Sequence, residues 1–168
     1  NGLWKIDKEQ QLSGTALFNS AEKLSDIGLK WNHTDKHFFN FGLNDTPAGT
    51  IVKGDGQATL KPGELLTGSA ELNGVTKTND CKLKWNDNEK HNFNFGLNDS
   101  PAGTIAKGDG KTTLKPGEIL SGDFALNGVT KTNDFKLKWN DNEKHNFNFG
   151  LNDSPAGTIA KGDGKTTL

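Results

Sequence analysis

Apolar and polar residues alternate with a period of two along residues 81–98. Cys81, Leu83 and Trp85 alternate with Lys82, Lys84 and Asn86. After a polar break, His91, Phe93, Phe95 and Leu97 alternate with Asn92, Asn94, Gly96 and Asn98. Successive side chains of a strand point to opposite faces, so this pattern predicts an antiparallel hairpin with one apolar and one wet face. A tip at residues 86–90 sets the expected register. It places Trp85 opposite His91, Leu83 opposite Phe93 and Cys81 opposite Phe95, with Lys84 opposite Asn92 and Lys82 opposite Asn94 on the other face.

The same pattern recurs. Residues 82–114 are identical to residues 136–168, a spacing of 54. Residues 61–81 recur in diverged form as 115–135, and residues 29–60 are a more diverged first copy. The chain therefore reads as one all-β repeat domain, residues 1–168, with repeat 1 at about 7–60, repeat 2 at 61–114 and repeat 3 at 115–168. Residues 1–6 form an extra N-terminal strand, which shares its repeat position with residues 164–168. In a three-fold ring these two segments would compete for one place.

Glycine and proline punctuate each repeat. Lys61-Pro62-Gly63-Glu64 has the type II turn pattern, and Asn73-Gly74 is a hairpin signal. Residues 98–103 and 107–111 read as loops. The segments between them are five to eight residues long, so the expected fold is short antiparallel strands, four or five per repeat. A β-trefoil-like fold, a closed meander β-barrel and an open meander all satisfy that arithmetic. Strands this short fall below the length of about nine to eleven that a membrane barrel needs, so no membrane insertion is expected. An open array exposes strand edges, and assembly into oligomers or filaments through the terminal strands follows as a possibility of the architecture.

Composition changes the picture only at its edges. Twenty basic residues stand against 21 acidic ones, for a net charge of −1. No global field draws the chain to nucleic acid or an anionic membrane. No apolar run is long enough for a transmembrane helix, and no basic segment followed by an apolar stretch marks a secretory leader. With Asn1 in first place, the expectation is a processed N-terminus or a piece of something longer. Cys81 is the only cysteine, so no intrachain disulfide forms. Its repeat equivalents are Ile27 and Phe135, which predicts a packed core thiol.

Several patterns that resemble chemical motifs fail on their mechanics. The segments at residues 108–113 lack the leading glycine of a phosphate loop and the helix that should follow it. One histidine per repeat (His37, His91, His145) is a poor zinc set, and stacking on Trp31, Trp85 and Trp139 is the expected role. The carboxylates of the tip, Asp87 and Glu89, are too close in sequence to divide acid and base roles. No enzyme activity and no cofactor or metal is expected.

What remains is recognition. Each hairpin tip gathers aromatic, amide, acid and imidazole groups: Trp31, Asn32, Asp35 and His37; Trp85, Asn86, Asp87, Asn88 and His91; Trp139, Asn140, Asp141, Asn142 and His145. Sugars need an aromatic surface for their C–H patch and amide or carboxylate partners for their hydroxyls. The leading expectation is a multivalent, lectin-like carbohydrate-binding protein with up to three sites, acting on glycans or glycosylated surfaces outside the cell or at its surface. The alternative is a structural or adhesive surface protein that assembles through its terminal strands.

Overall fold

The computed structural model describes residues 2–6, 8–34, 36–88, 90–142 and 144–167. Thirteen antiparallel strands follow one another in sequence order in one open sheet, and no helix occurs among the described residues. They are β1 (Gly2–Lys5), β2 (Gln10–Asn19), β3 (Leu24–His33), β4 (His37–Thr46), β5 (Gly49–Lys61), β6 (Glu64–Asn73), β7 (Thr78–Asp87), β8 (His91–Ser100), β9 (Gly103–Lys115), β10 (Glu118–Asn127), β11 (Thr132–Asp141), β12 (His145–Ser154) and β13 (Gly157–Thr166). The all-β expectation holds. The order is that of an open meander rather than a trefoil. From β2 onward the strand starts recur every four strands with a spacing of 54 residues. The chain divides into two compact units, Asn1–Leu83 and Lys84–Leu168, with the division inside β7.

The strands are longer than the five to eight residues expected. Ten of the thirteen have 10 residues, and β5 and β9 have 13. The difference lies in the glycines, which read as breakers but stand mid-strand. Residues 107–111 belong to β9, where Gly108 pairs with Phe95 and Gly110 with Phe93. Gly108 leaves room for the Phe124 ring across the strand. A side chain at Gly108 would begin 2.4 Å from Phe124 Cε1. Only glycine permits that close approach. Strands of this length also remove the argument from length against a membrane barrel. Among the described residues, no helix is long and apolar enough to cross a membrane.

True turns occupy fewer residues than expected. Pro62-Gly63 and Pro116-Gly117 close tight turns with Gly63 and Gly117 each at φ 82°, as a type II turn requires. Beyond them the pairing slips by one residue, as Glu118 faces Lys115 while Ile119 faces Thr113. Leu114 is the bulged residue, and it is exposed. Asn73-Gly74 opens a four-residue loop instead of a two-residue one. Asn73 Oδ1 accepts hydrogen bonds from the backbone N–H of Val75 and Thr76, at 3.1 and 3.0 Å.

The two faces emerge as expected, each unit repeating the other. In unit 2 the apolar face carries Phe93 and Phe95 on β8, Leu120 and Phe124 on β10, Leu137 and Trp139 on β11, and Phe147 and Phe149 on β12. In unit 1 the matching positions include Trp31, Phe39, Phe41 and Leu66. The wet face is tied by cross-strand bonds: Asn40 donates to Asp55, Asn94 to Asp109 and Asn148 to Asp163, at 2.8 to 2.9 Å. Repeat 1 departs where Phe38 stands on this wet face between Asn32 and Gln57, and where Leu17 stands on it opposite Asp26.

Neither face acquires a core. Among the described residues no apolar side chain is buried, and only Glu64 and Gly108 are buried at all. This corrects the reading of Cys81, which is a free, exposed thiol. Its position is apolar in all three copies because it lies on the apolar face, but that face is only half-covered by its own neighbours.

Candidate functional site

The hairpins β3–β4 and β11–β12 set the geometry of the tips. Trp139 stands opposite Phe147, Leu137 opposite Phe149 and Phe135 opposite Leu151. Trp31, Leu29 and Ile27 repeat this against Phe39, Phe41 and Leu43. The pairing is displaced by two residues from the expected tryptophan-to-histidine register. The cause is the tip, which has three residues outside the strands instead of five. Lys90 and Lys144 donate backbone N–H groups to Asp87 and Asp141 carbonyls at 2.8 Å, and Asn88 and Asn142 adopt φ of 43° and 45°. Asparagine tolerates that left-handed conformation better than most side chains.

A two-residue shift keeps every side chain on its expected face. Histidine and tryptophan therefore still meet, but diagonally. Trp139 and His145 have parallel rings, 2° apart in plane with centroids at 6.3 Å. Trp85 and His91 repeat the arrangement at 4° and 6.1 Å. This is the offset geometry that aromatic quadrupoles favour.

Two acids border the Trp139–His145 pair. Asp141 faces His145 on one side and Glu118 on the other. Trp139 Nε1 donates to Glu118 Oε1 at 3.0 Å, and Lys115 Nζ lies 3.6 Å from Glu118 Oε2. The indole N–H and one carboxylate are thus committed to each other. Asn142 anchors the tip to the neighbouring turn: its N–H donates to Gly117 O at 2.8 Å, and its side-chain amide reaches Pro116 O at 3.4 Å.

The residues expected at the tips do not all converge. Trp139, Asp141 and His145 share the apolar face, whereas Asn140 faces Ile119 and Asn146 on the other. Trp85 and His91 meet, Asn86 is half-buried in β7, and Asp87 and the exposed Asn88 end the strand and open the turn. Repeat 1 is different in kind. Trp31 lies nearest His33, with rings tilted by 39° at 6.0 Å, and His33 lies 5.5 Å from His37. His33 holds the position of Asp87 and Asp141, and its Nε2 lies 3.6 Å from Glu9 Oε2. Asn32 lies on the wet face opposite Phe38. Asp35 lies outside the described residues. Among the described residues no three metal-ligating side chains are gathered together.

Beside the second aromatic pair lies a groove of about 310 Å³, wholly within unit 2. Trp85, His91, Phe93, Leu120 and Phe124 form its walls, and Gly108, Gly110 and Gly122 lie along its floor. His91 Nδ1 and Thr112 Oγ1 are hydrogen-bonded at its rim. Its volume stands at the lower end of the range for small-ligand sites, roughly 300–1,000 Å³. The sequence reading missed Glu118, Thr112, Phe124 and the glycine floor. A signal was there: the F-x-F spacing of β8 equals the G-x-G spacing of β9, which predicts aromatic rings laid across glycines once the two strands pair.

No protein-family model, no curated protein and no solved structure matches this chain.

Proposed function

We propose that the chain is a multivalent, lectin-like carbohydrate-binding protein built from three tandem 54-residue repeats. The observation that carries this reading is the Trp139–His145 platform with Asp141 and Glu118 at its edge. A sugar ring presents a C–H face that packs on an aromatic surface and hydroxyls that bond to carboxylates and amides. Two flat rings, held in place by Glu118 through the indole N–H and bordered by the Asp141 carboxylate, offer both on one side of the sheet. A purely apolar ligand would have no use for the acids, and a purely ionic one no use for the rings.

The Trp85–His91 pair supplies a second site with the adjoining groove. Repeat 1, with tilted rings and His33 in place of the acid, is the weakest or a differently tuned member. Individually weak sites gain strength on a surface that presents many copies of one glycan. Such surfaces lie outside cells, so an extracellular or cell-surface location fits the reading, and binding rather than catalysis is the proposed activity.

The test is glycan-array binding by the native chain, Trp139→Ala and Asp141→Ala, with far-UV circular dichroism as the control for folding. Native binding is expected, with loss of most signal in Trp139→Ala. In Asp141→Ala, loss of a charged hydrogen-bond partner weakens binding by about tenfold to a hundredfold. A native chain that binds no glycan overturns the reading and favours the structural or adhesive role.

A further inference from the structure

β9 is paired on both edges, with β8 on one side and β10 on the other. β13 has the same sequence as residues 103–112 of β9, and it pairs with β12 as β9 pairs with β8. Its other edge has no strand partner among the described residues, and all ten of its residues are exposed. The backbone and side chains that hold β10 against β9 are thus repeated on an unoccupied edge.

A matching acceptor exists in unit 1. β2 is the repeat equivalent of β6 and β10, each of which is covered along nearly its whole length by the preceding strand. Among the described residues β2 is covered by β1 at four positions, Gln11, Leu12, Ser13 and Gly14. Among the described residues, 15–19 have no strand partner on that side, and Leu17 and Phe18 there are 57% and 69% exposed. An edge with unpaired backbone groups and exposed apolar side chains is a template for strand addition.

We infer that copies of this chain assemble head to tail, β13 of one pairing antiparallel with β2 of the next and displacing β1. The β9–β10 register fixes the alignment. It sets Gly162 opposite Ala16, Asp163 opposite Thr15 and Gly164 opposite Gly14, with Ala160 opposite Phe18. Gly164 then occupies the slot of Gly2, and Thr166 that of Trp4, whose ring lies beside Gly2 and Gly14. The exchange replaces four paired positions by a strand-length ladder, and faces match: Ala160, Gly162 and Gly164 join the apolar side with Ala16 and Phe18. The contact is heterologous, so it propagates rather than stopping at a dimer unless the rotation closes a ring. It rests on the strand edges and stands or falls separately from glycan binding.

The test is sedimentation velocity over a wide concentration range, joined to disulfide mapping in a Cys81→Ser background. Mass is expected to grow with concentration, and deletion of residues 1–6 is expected to strengthen the assembly by clearing β2. Mixing an Asp163→Cys copy with a Thr15→Cys copy, and a Gly162→Cys copy with an Ala16→Cys copy, tests the register between chains. Ladder pairs alternate in geometry, so at least one of these adjacent pairs closes readily. Mixing Lys161→Cys with Thr15→Cys, two residues out of register, should give little product. A constant single-chain mass at every concentration overturns the proposal, as does equal cross-linking of the out-of-register pair.

Discussion

Gly108→Ala and Gly54→Ala are the same substitution at repeat-equivalent positions, yet the structure predicts opposite outcomes. Gly108 pairs with Phe124, and an added Cβ would lie 2.4 Å from Cε1 and 2.8 Å from Cζ of that ring. Gly54 pairs with Ala70, and its Cβ would meet only Asn40 O at 3.6 Å, an ordinary contact. Replacing a mid-strand glycine lowers the entropy of the unfolded chain, which stabilises by about 0.4–1 kcal/mol where the space allows. At Gly108 the ring must swing aside and lose its seat on the glycine. Overpacking in a closed core costs about 1–3 kcal/mol, and a half-exposed ring that can swing outward belongs at the low end of that range. Gly54→Ala should therefore be neutral to slightly stabilising and Gly108→Ala destabilising, with a gap of about 2 kcal/mol between them. Urea unfolding followed by tryptophan fluorescence measures both. Phe124→Ala in the Gly108→Ala background should recover part of the loss, because the pair then repeats Ala70 opposite a small residue. Equal midpoints for the two single variants would refute the idea that glycine is present to seat the ring.

Two further outcomes follow from individual residues. Asn142 holds φ at 45° and bridges to the turn at Pro116-Gly117, so Asn142→Val should destabilise by about 1–2 kcal/mol. Asn142→Gly should lose less, since glycine adopts that conformation without strain, and thermal unfolding of the two variants ranks them. Cys81 is exposed, so a thiol reagent such as Ellman's should modify it fully in the folded chain without denaturant. Protection until unfolding would mean that the apolar face around it is covered in solution.

Much of the fold was legible because alternation survives ignorance of the register. Trp139, Leu137 and Phe135 share a face whether the tip has three residues or five, since a shift of two leaves parity unchanged. The partners were misassigned because Asp87 and Asp141 read as turn residues but are the last residues of their strands. The short-strand expectation failed for a related reason. Glycine signals a turn when its conformational freedom is used, and at Gly108 in β9 it is used for its missing side chain. Gly96 and Gly150 have nothing within 4 Å of an added Cβ, so even neighbouring glycines in one strand set differ in their reason for being there.

The candidate site shows where local reading stops. The Trp139–His145 contact was foreseeable, because a short hairpin brings residues six apart onto one face. Glu118 lies 21 residues before Trp139, and only the β10–β11 ladder brings its carboxylate to the indole N–H. That ladder is set by the four-residue loop after Asn127, where Asn127 Oδ1 accepts from the N–H groups of Val129 and Thr130. A two-residue Asn-Gly turn in its place would change the register of the whole pair and separate Glu118 from Trp139. The acid that ties down the indole is therefore selected by loop chemistry at the far end of the strands, not by the residues around it. The same dependence explains why repeat 1 diverges at its tip without losing its strands: Gln10 holds the position of Glu118 and pairs with His33, so the ladder persists while that carboxylate is absent.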